Sequence, residues 1–99
     1  MPKTFKAAES FHPGEYLGDE LKERGWSQLK FAKIIGRPVQ VVNEIINGKR
    51  GITAPTAKAI GLAFGTGAEV WMNLQVAYDL HHAADPDPAI AKRAKQAAA

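Results

Sequence analysis

Glycine divides the middle of this chain into pieces too short for anything but small helices. Gly25, Gly36, Gly48 and Gly65 each follow an apolar run of helical period, and glycine readily takes the left-handed conformation that closes a helix. Pro13 suits a first helical turn, Glu15 stands where the helix dipole favours an acid, and Tyr16, Leu17 and Leu21 form the stripe of a helix expected over about 13–24. Ser27 is a natural N-cap for a second helix, about 28–35, carrying Phe31, Ala32 and Ile35. Pro38 opens a third, about 38–47, in which Val42, Ile45 and Ile46 repeat at i, i+3, i+4. The β-branched run Val39, Val41, Val42 would also suit a strand, but Pro38 before it and Asn47-Gly48 after it favour helix.

The second half continues the pattern. Thr53 is expected to cap a fourth helix, with Pro55 in its first turn and Ala57, Ile60, Ala63 and Phe64 as its buried stripe. Thr66-Gly67-Ala68-Glu69 has capping-box spacing and predicts the longest helix, about 67–82. Trp71, Leu74, Ala77 and Tyr78 share one face of it, for core or dimer packing. Val70, Met72, Val76 and Leu80 leave apolar surface elsewhere, more than a short neighbour should need. Asp85-Pro86-Asp87-Pro88 ends that helix. The expected organisation is an all-α domain over 12–82, a flexible arm over 1–11, and a flexible Ala/Lys-rich tail over 83–99 with almost nothing to bury.

Composition removes several functions. A chain of 99 residues makes one domain. It has no cysteine, which excludes disulfide scaffolds, thiolate zinc sites, iron–sulfur clusters and cysteine nucleophiles. No apolar run approaches the ~18 residues of a membrane span. The basic start Met1–Lys6 is not followed by a signal-peptide apolar segment, so a cytoplasmic, nucleoid-associated protein is expected. No Gly-rich phosphate loop, His-Glu-x-x-His pattern or activated nucleophile occurs, so neither enzyme nor cofactor is expected. His81 and His82 are adjacent, hence about 100° apart on a helix, and lack a third ligand; no metal is expected. His12 reads as a helix cap, and Glu15, Asp19, Glu20 and Glu23 as an acidic helix face.

The net charge of +3 is unevenly spread. Residues 22–50 hold Lys22, Arg24, Lys30, Lys33, Arg37, Lys49 and Arg50 against Glu23 and Glu44, a local excess of +5. A basic face of this kind is the footprint of a phosphate-binding surface, and it suits a solvated helix surface equally. The helix order decides between them. The second helix, a tight turn at Gly36 and the third helix make a helix-turn-helix, in which the third helix can enter the ~12 Å major groove. The N-terminus of the second helix would turn free N–H groups towards a phosphate.

Ser27-Gln28, Phe31-Ala32, Ile34-Ile35-Gly36 and Ile45-Ile46-Asn47-Gly48-Lys49-Arg50 resemble the helix-turn-helix of the Cro/C1-type (XRE) family. A wider set is more specific: His12-Pro13-Gly14-Glu15, Gly25-Trp26-Ser27-Gln28, Ala63-Phe64-Gly65-Thr66, Ala68-Glu69, Trp71, Asn73-Leu74-Gln75 and Tyr78-Asp79-Leu80. Over about residues 12–82 these are similar to the HigA/VapI branch, the antitoxins of HigBA toxin–antitoxin modules. The resemblance implies a λ-repressor-like fold of five helices and dimerisation through the last helix. It also implies binding to a palindromic operator of the protein's own operon, and silencing of a HigB-like toxin, a RelE-like ribosome-dependent mRNA interferase.

Residue roles follow. Gln28 matches a phosphate-contacting position of the family. Gln40 is the first candidate for a base edge, because its amide can pair bidentately with adenine, and Asn43, one turn on, is the second. Val39 can meet a thymine methyl. Arg37, Lys49 and Arg50 are candidate phosphate contacts, with Lys30 and Lys33 weaker ones. Three residues depart from the family pattern. Pro38 stands where many members carry a Ser or Thr cap, and Leu29 where many are polar. Glu44 would repel phosphate unless it met a cytosine amino group. Rival readings are a stand-alone XRE-family repressor without a toxin partner, and a protein-interaction module whose third helix docks a partner.

Overall fold

The computed structural model describes residues 11–98, and all regular structure among them is helical. The elements are α1 (Pro13–Arg24), α2 (Gln28–Ile35), α3 (Val39–Ile46), α4 (Ala54–Phe64), α5 (Glu69–His82) and α6 (Ala89–Ala98). The expected arm at 1–11 lies outside the described residues apart from Phe11, which is exposed.

The ends of α1 and α2 are set by residues read from the sequence. His12 Nδ1 accepts from the Gly14 N–H at 2.9 Å, and Ser27 Oγ accepts from the Lys30 N–H at 3.0 Å. Gly36 ends α2 at φ +67°, where a residue with a Cβ would carry strain of roughly 1–2 kcal/mol. The Arg37 N–H then reaches back to the Ala32 carbonyl at 3.0 Å, which turns the chain sharply into α3. Helix α3 is one residue shorter at each end than its sequence pattern suggests. Pro38 stands at its N-cap without a side-chain hydrogen bond, and only the Pro38 carbonyl takes part, accepting from the Val41 N–H at 3.0 Å.

Two expected caps are not made. Thr53 occupies the N-cap of α4, but its hydroxyl donates to Thr56 Oγ1 at 3.2 Å and leaves the backbone uncapped. The capping box at Thr66–Glu69 does not form, and α5 starts at Glu69 instead of 67. The cause is Gly67, whose φ of +82° is incompatible with a first helical turn. That bend packs the Gly67 carbonyl group against Gly61 of α4, so closely that a Cβ at position 61 would collide with it. Thr66 Oγ1 then accepts from the Trp71 indole N–H at 3.0 Å, so the hydroxyl serves a buried aromatic side chain.

The core lies between these helices. Leu17, Phe31, Val42, Ile45 and Ile60 are almost fully buried, with Leu21, Ala32, Ile52, Ala57 and Trp71 around them. Trp26, Phe31, Phe64 and Trp71 form an aromatic series, with ring centroids of successive neighbours 5.1–6.3 Å apart. Ala32 of α2 is small and buried. Gly14 lies against the Ile45 carbonyl group, leaving no room for a side chain between α1 and α3. The segment read as a flexible tail is helical over Ala89–Ala98 and buries no residue. Its alanines supply helix propensity, and the Asp87 carboxylate accepts from the Ala89 N–H at 2.9 Å at the helix start.

Candidate nucleic-acid interface

Helix α3 presents one polar face. Gln40, Asn43, Glu44 and Asn47 fall at i, i+3, i+4 and i+7, and Val39 stands beside Gln40 at the helix start, 41% exposed. The opposite face buries Val42 and Ile45, which fixes how α3 is held. The free N–H groups at the start of a helix number four, and here Ser27 satisfies the one at Lys30. Those of Gln28 and Leu29, like the first N–H groups of any helix, have no partner within α2.

The expected contact residues are only partly at liberty. Asn43 Nδ2 donates to Gln28 Oε1 at 3.0 Å, and Asn47 Nδ2 donates to Asn43 Oδ1 at 3.1 Å. This string ties the start of α2 to the end of α3 and orients both amides. Gln40 and Lys49 are exposed, as is Lys30 on α2. Arg37 is half-buried and its Nη1 donates to Thr56 Oγ1 at 3.2 Å, so it braces the α2–α3 turn against α4. Arg50 donates through Nε and Nη2 to Glu44 Oε1, at 2.9 and 2.7 Å. Within the basic stretch, Arg24 is engaged elsewhere. It lies over the Trp26 and Phe64 rings at 5.2 and 4.7 Å and pairs with Glu20 at 2.8 Å.

Behind the loop that carries Lys49 and Arg50 is an open cavity of about 490 Å³, lined by His12, Gly48, Arg50, Gln75 and Tyr78. Two residues hold the loop there. Gln75 of α5 is buried, its Oε1 accepts from the Ile52 N–H at 2.7 Å, and its Nε2 donates to Asp79 Oδ1 at 2.9 Å. Sequence reasoning passed over Gln75 except as part of a motif, although it lies four residues after Trp71 on the same buried stripe. The His12 ring packs edge-on to Tyr78 at 4.9 Å. Burial holds the pKa of His12 below its ordinary 6.5, against the opposing pull of Glu15, Asp79 and a hydrogen bond with the Arg50 backbone. The neutral ring leaves Nδ1 free to accept from Gly14.

The three residues expected in core or dimer packing separate here. Trp71 is in the core, Leu74 packs against it half-buried, and Tyr78 sits between His12 and His82, half-buried. The His81 and His82 rings stand 5.1 Å apart, and among the described residues no three His, Cys, Asp or Glu side chains gather as a metal site. No helix among the described residues is long and apolar enough to cross a membrane.

A protruding short helix with an exposed amide face, turned out of α2 by Gly36 and flanked by a basic loop, is the geometry of a helix-turn-helix, and the family model for the helix-turn-helix matches residues 17–71. The chain belongs to the XRE-type helix-turn-helix family, in its HigA/VapI branch. It is 42% identical over 81 residues to virulence-associated protein I of Dichelobacter nodosus, covering 81% of this chain and 75% of that protein. It is 39% identical to an addiction module antidote protein of the HigA family from Coxiella burnetii, with a TM-score of 0.71 over 89% of this chain and 90% of that one. The antitoxin HigA of Pseudomonas aeruginosa, solved with the higBA promoter, is 38% identical with a TM-score of 0.71, covering 90% and 91%. This HigA/VapI-type chain thus falls in a family of DNA-binding proteins rather than of enzymes.

Proposed function

We propose that this HigA/VapI-type chain is the antitoxin of a type II toxin–antitoxin module. It binds the palindromic operator of its own operon as a homodimer, represses that operon, and neutralises a HigB-like toxin, a RelE-like mRNA interferase. The observation that carries this reading is the exposed Val39–Gln40–Asn43 face of α3 beside the Lys49–Arg50 loop, in a chain so similar to an antitoxin solved with promoter DNA. Gln40, Asn43 and Val39 read bases. Gln28, Lys30, Arg37, Lys49 and Arg50 contact or position phosphates, and the protein works at the nucleoid.

The DNA-binding domain is residues 12–82, with the helix α6 and its flanks outside it. Dimerisation uses the outer face of α5, where Val76 and Leu80 are 48% and 72% exposed. A two-fold dimer sets its recognition helices about 34 Å apart, one turn of duplex. Co-expression with the neighbouring open reading frame tests the whole reading. Rescue from that frame's toxicity, co-purification with its product, and a salt-sensitive shift of the upstream DNA are expected. A shift without rescue would leave a stand-alone repressor. Rescue without any DNA shift would remove the operator from the reading.

A further inference from the structure

Helix α3 carries one carboxylate on its exposed polar face, and that carboxylate is engaged. Glu44 lies one turn beyond Gln40, and a single oxygen, Oε1, accepts both Nε and Nη2 of Arg50 at 2.9 and 2.7 Å. The backbone brings the two together, since Gly48 turns the chain at φ +75° and the Lys49 N–H donates back to the Glu44 carbonyl at 2.8 Å. The side chains of Glu44 and Arg50 are 29% and 51% exposed, so the pair adds little to stability. Its larger effect is on the charge of the face.

We propose that Glu44 is a specificity-determining residue, which holds Arg50 and penalises any duplex that offers its carboxylate no hydrogen-bond donor. The inference rests on the DNA-binding reading above. Against random sequence, Glu44 cancels the Arg50 charge locally and faces phosphates and base acceptors with a negative group, so the Arg50 position releases few counterions. Against a site that places a cytosine amino group beside α3, the second carboxylate oxygen accepts that N–H, and the remaining guanidinium N–H groups stay directed at the backbone. Discrimination then arises from the unfavourable term on wrong sequences more than from added attraction to the right one.

Glu44→Gln keeps the shape and removes the charge. Binding of wild type and variant is measured by fluorescence anisotropy over a salt series, on the upstream operator duplex and on a random duplex of equal length, with thermal melting to verify folding. The variant is expected to bind the random duplex more tightly, with its salt slope steeper by about 0.9 for each arginine released per chain. The operator-to-random ratio is expected to fall several-fold. In an Arg50→Ala background the same change should leave the random-duplex slope unaltered, because no arginine is there to be freed. An unchanged ratio, or an equal slope change without Arg50, would overturn the proposal. A wild type that shows no salt-sensitive shift at all would overturn the DNA-binding reading instead.

Discussion

The outer faces of α3 and α5 are built in opposite ways. Helix α3 presents Gln40, Asn43, the half-buried Glu44 and, at its C-cap, Asn47, and the amides of Asn43 and Asn47 are already ordered by hydrogen bonds to one another and to Gln28. Helix α5 exposes Val70, Val76 and Leu80. An ordered polar face can exchange water for base edges and phosphates with little reorganisation. An apolar face gains only when another apolar surface covers it, at about 25 cal/mol per Å². In the proposed function the difference sorts the partners, nucleic acid to α3 and protein to α5, with the buried Gln75 linking α5 to the loop that carries Lys49 and Arg50.

The strongest way to break this contrast is to remove what both faces share. Trp71→Ala should lower the unfolding free energy by about 3–5 kcal/mol in urea melts, because the indole is buried against Phe64 and holds α5 through Thr66. Both faces would then fail together. Val76→Asp with Leu80→Asp should separate them. Sedimentation should report a monomer and operator affinity should fall by roughly 10²–10⁴ with the loss of bivalency, while the thermal midpoint of the folded monomer stays close to wild type. If operator affinity survived, α5 would not be the dimer face.

Finer changes sharpen the α3 side. Gln40→Ala should cost about 1–3 kcal/mol on the operator and leave random DNA unaffected, whereas equal loss on both would remove Gln40 from base reading. Lys49→Ala should weaken both duplexes alike and flatten the salt slope by about one. The smallest effect is the pH response of His12, which joins the two sides. Its folded pKa lies below 6.5, so its cap contributes in full above that pH. As pH falls from 6.5 towards the lowered folded value, the unfolded chain takes up the proton more readily and stability declines. Melting at pH 8 and pH 5.5 should show that decline, and His12→Asn, which keeps a capping acceptor, should remove the part due to His12.

Much of this was legible locally. The ends of α1 and α2, the turn at Gly36 and the absence of a side-chain cap at Pro38 could all be read from single residues, because a cap or turn is decided within a few positions of chain. The Thr66 capping box could not be, because the competing partners of that hydroxyl are an indole five residues on and a glycine bend packed on α4. Thr53 went the same way, drawn to Thr56, which also receives Arg37. At the candidate site the amides and cations are legible in the sequence, but their partners within the fold are not. Arg24, Arg37 and Arg50 each proved to be held by a residue from another turn or another helix, and Gln75 was hidden because a buried glutamine has no signature apart from the N–H it serves.

The sequence by itself determined where the short helices begin and end over most of the chain, which stripe of each is apolar, and that the positive charge concentrates around α2 and α3. These depend on period, propensity and capping, all short-range. Tertiary structure alone decided which of those charges stay available. A guanidinium is committed or free according to the carboxylate, hydroxyl or ring that the fold brings within about 3–5 Å, and such neighbours come together only when the helices pack.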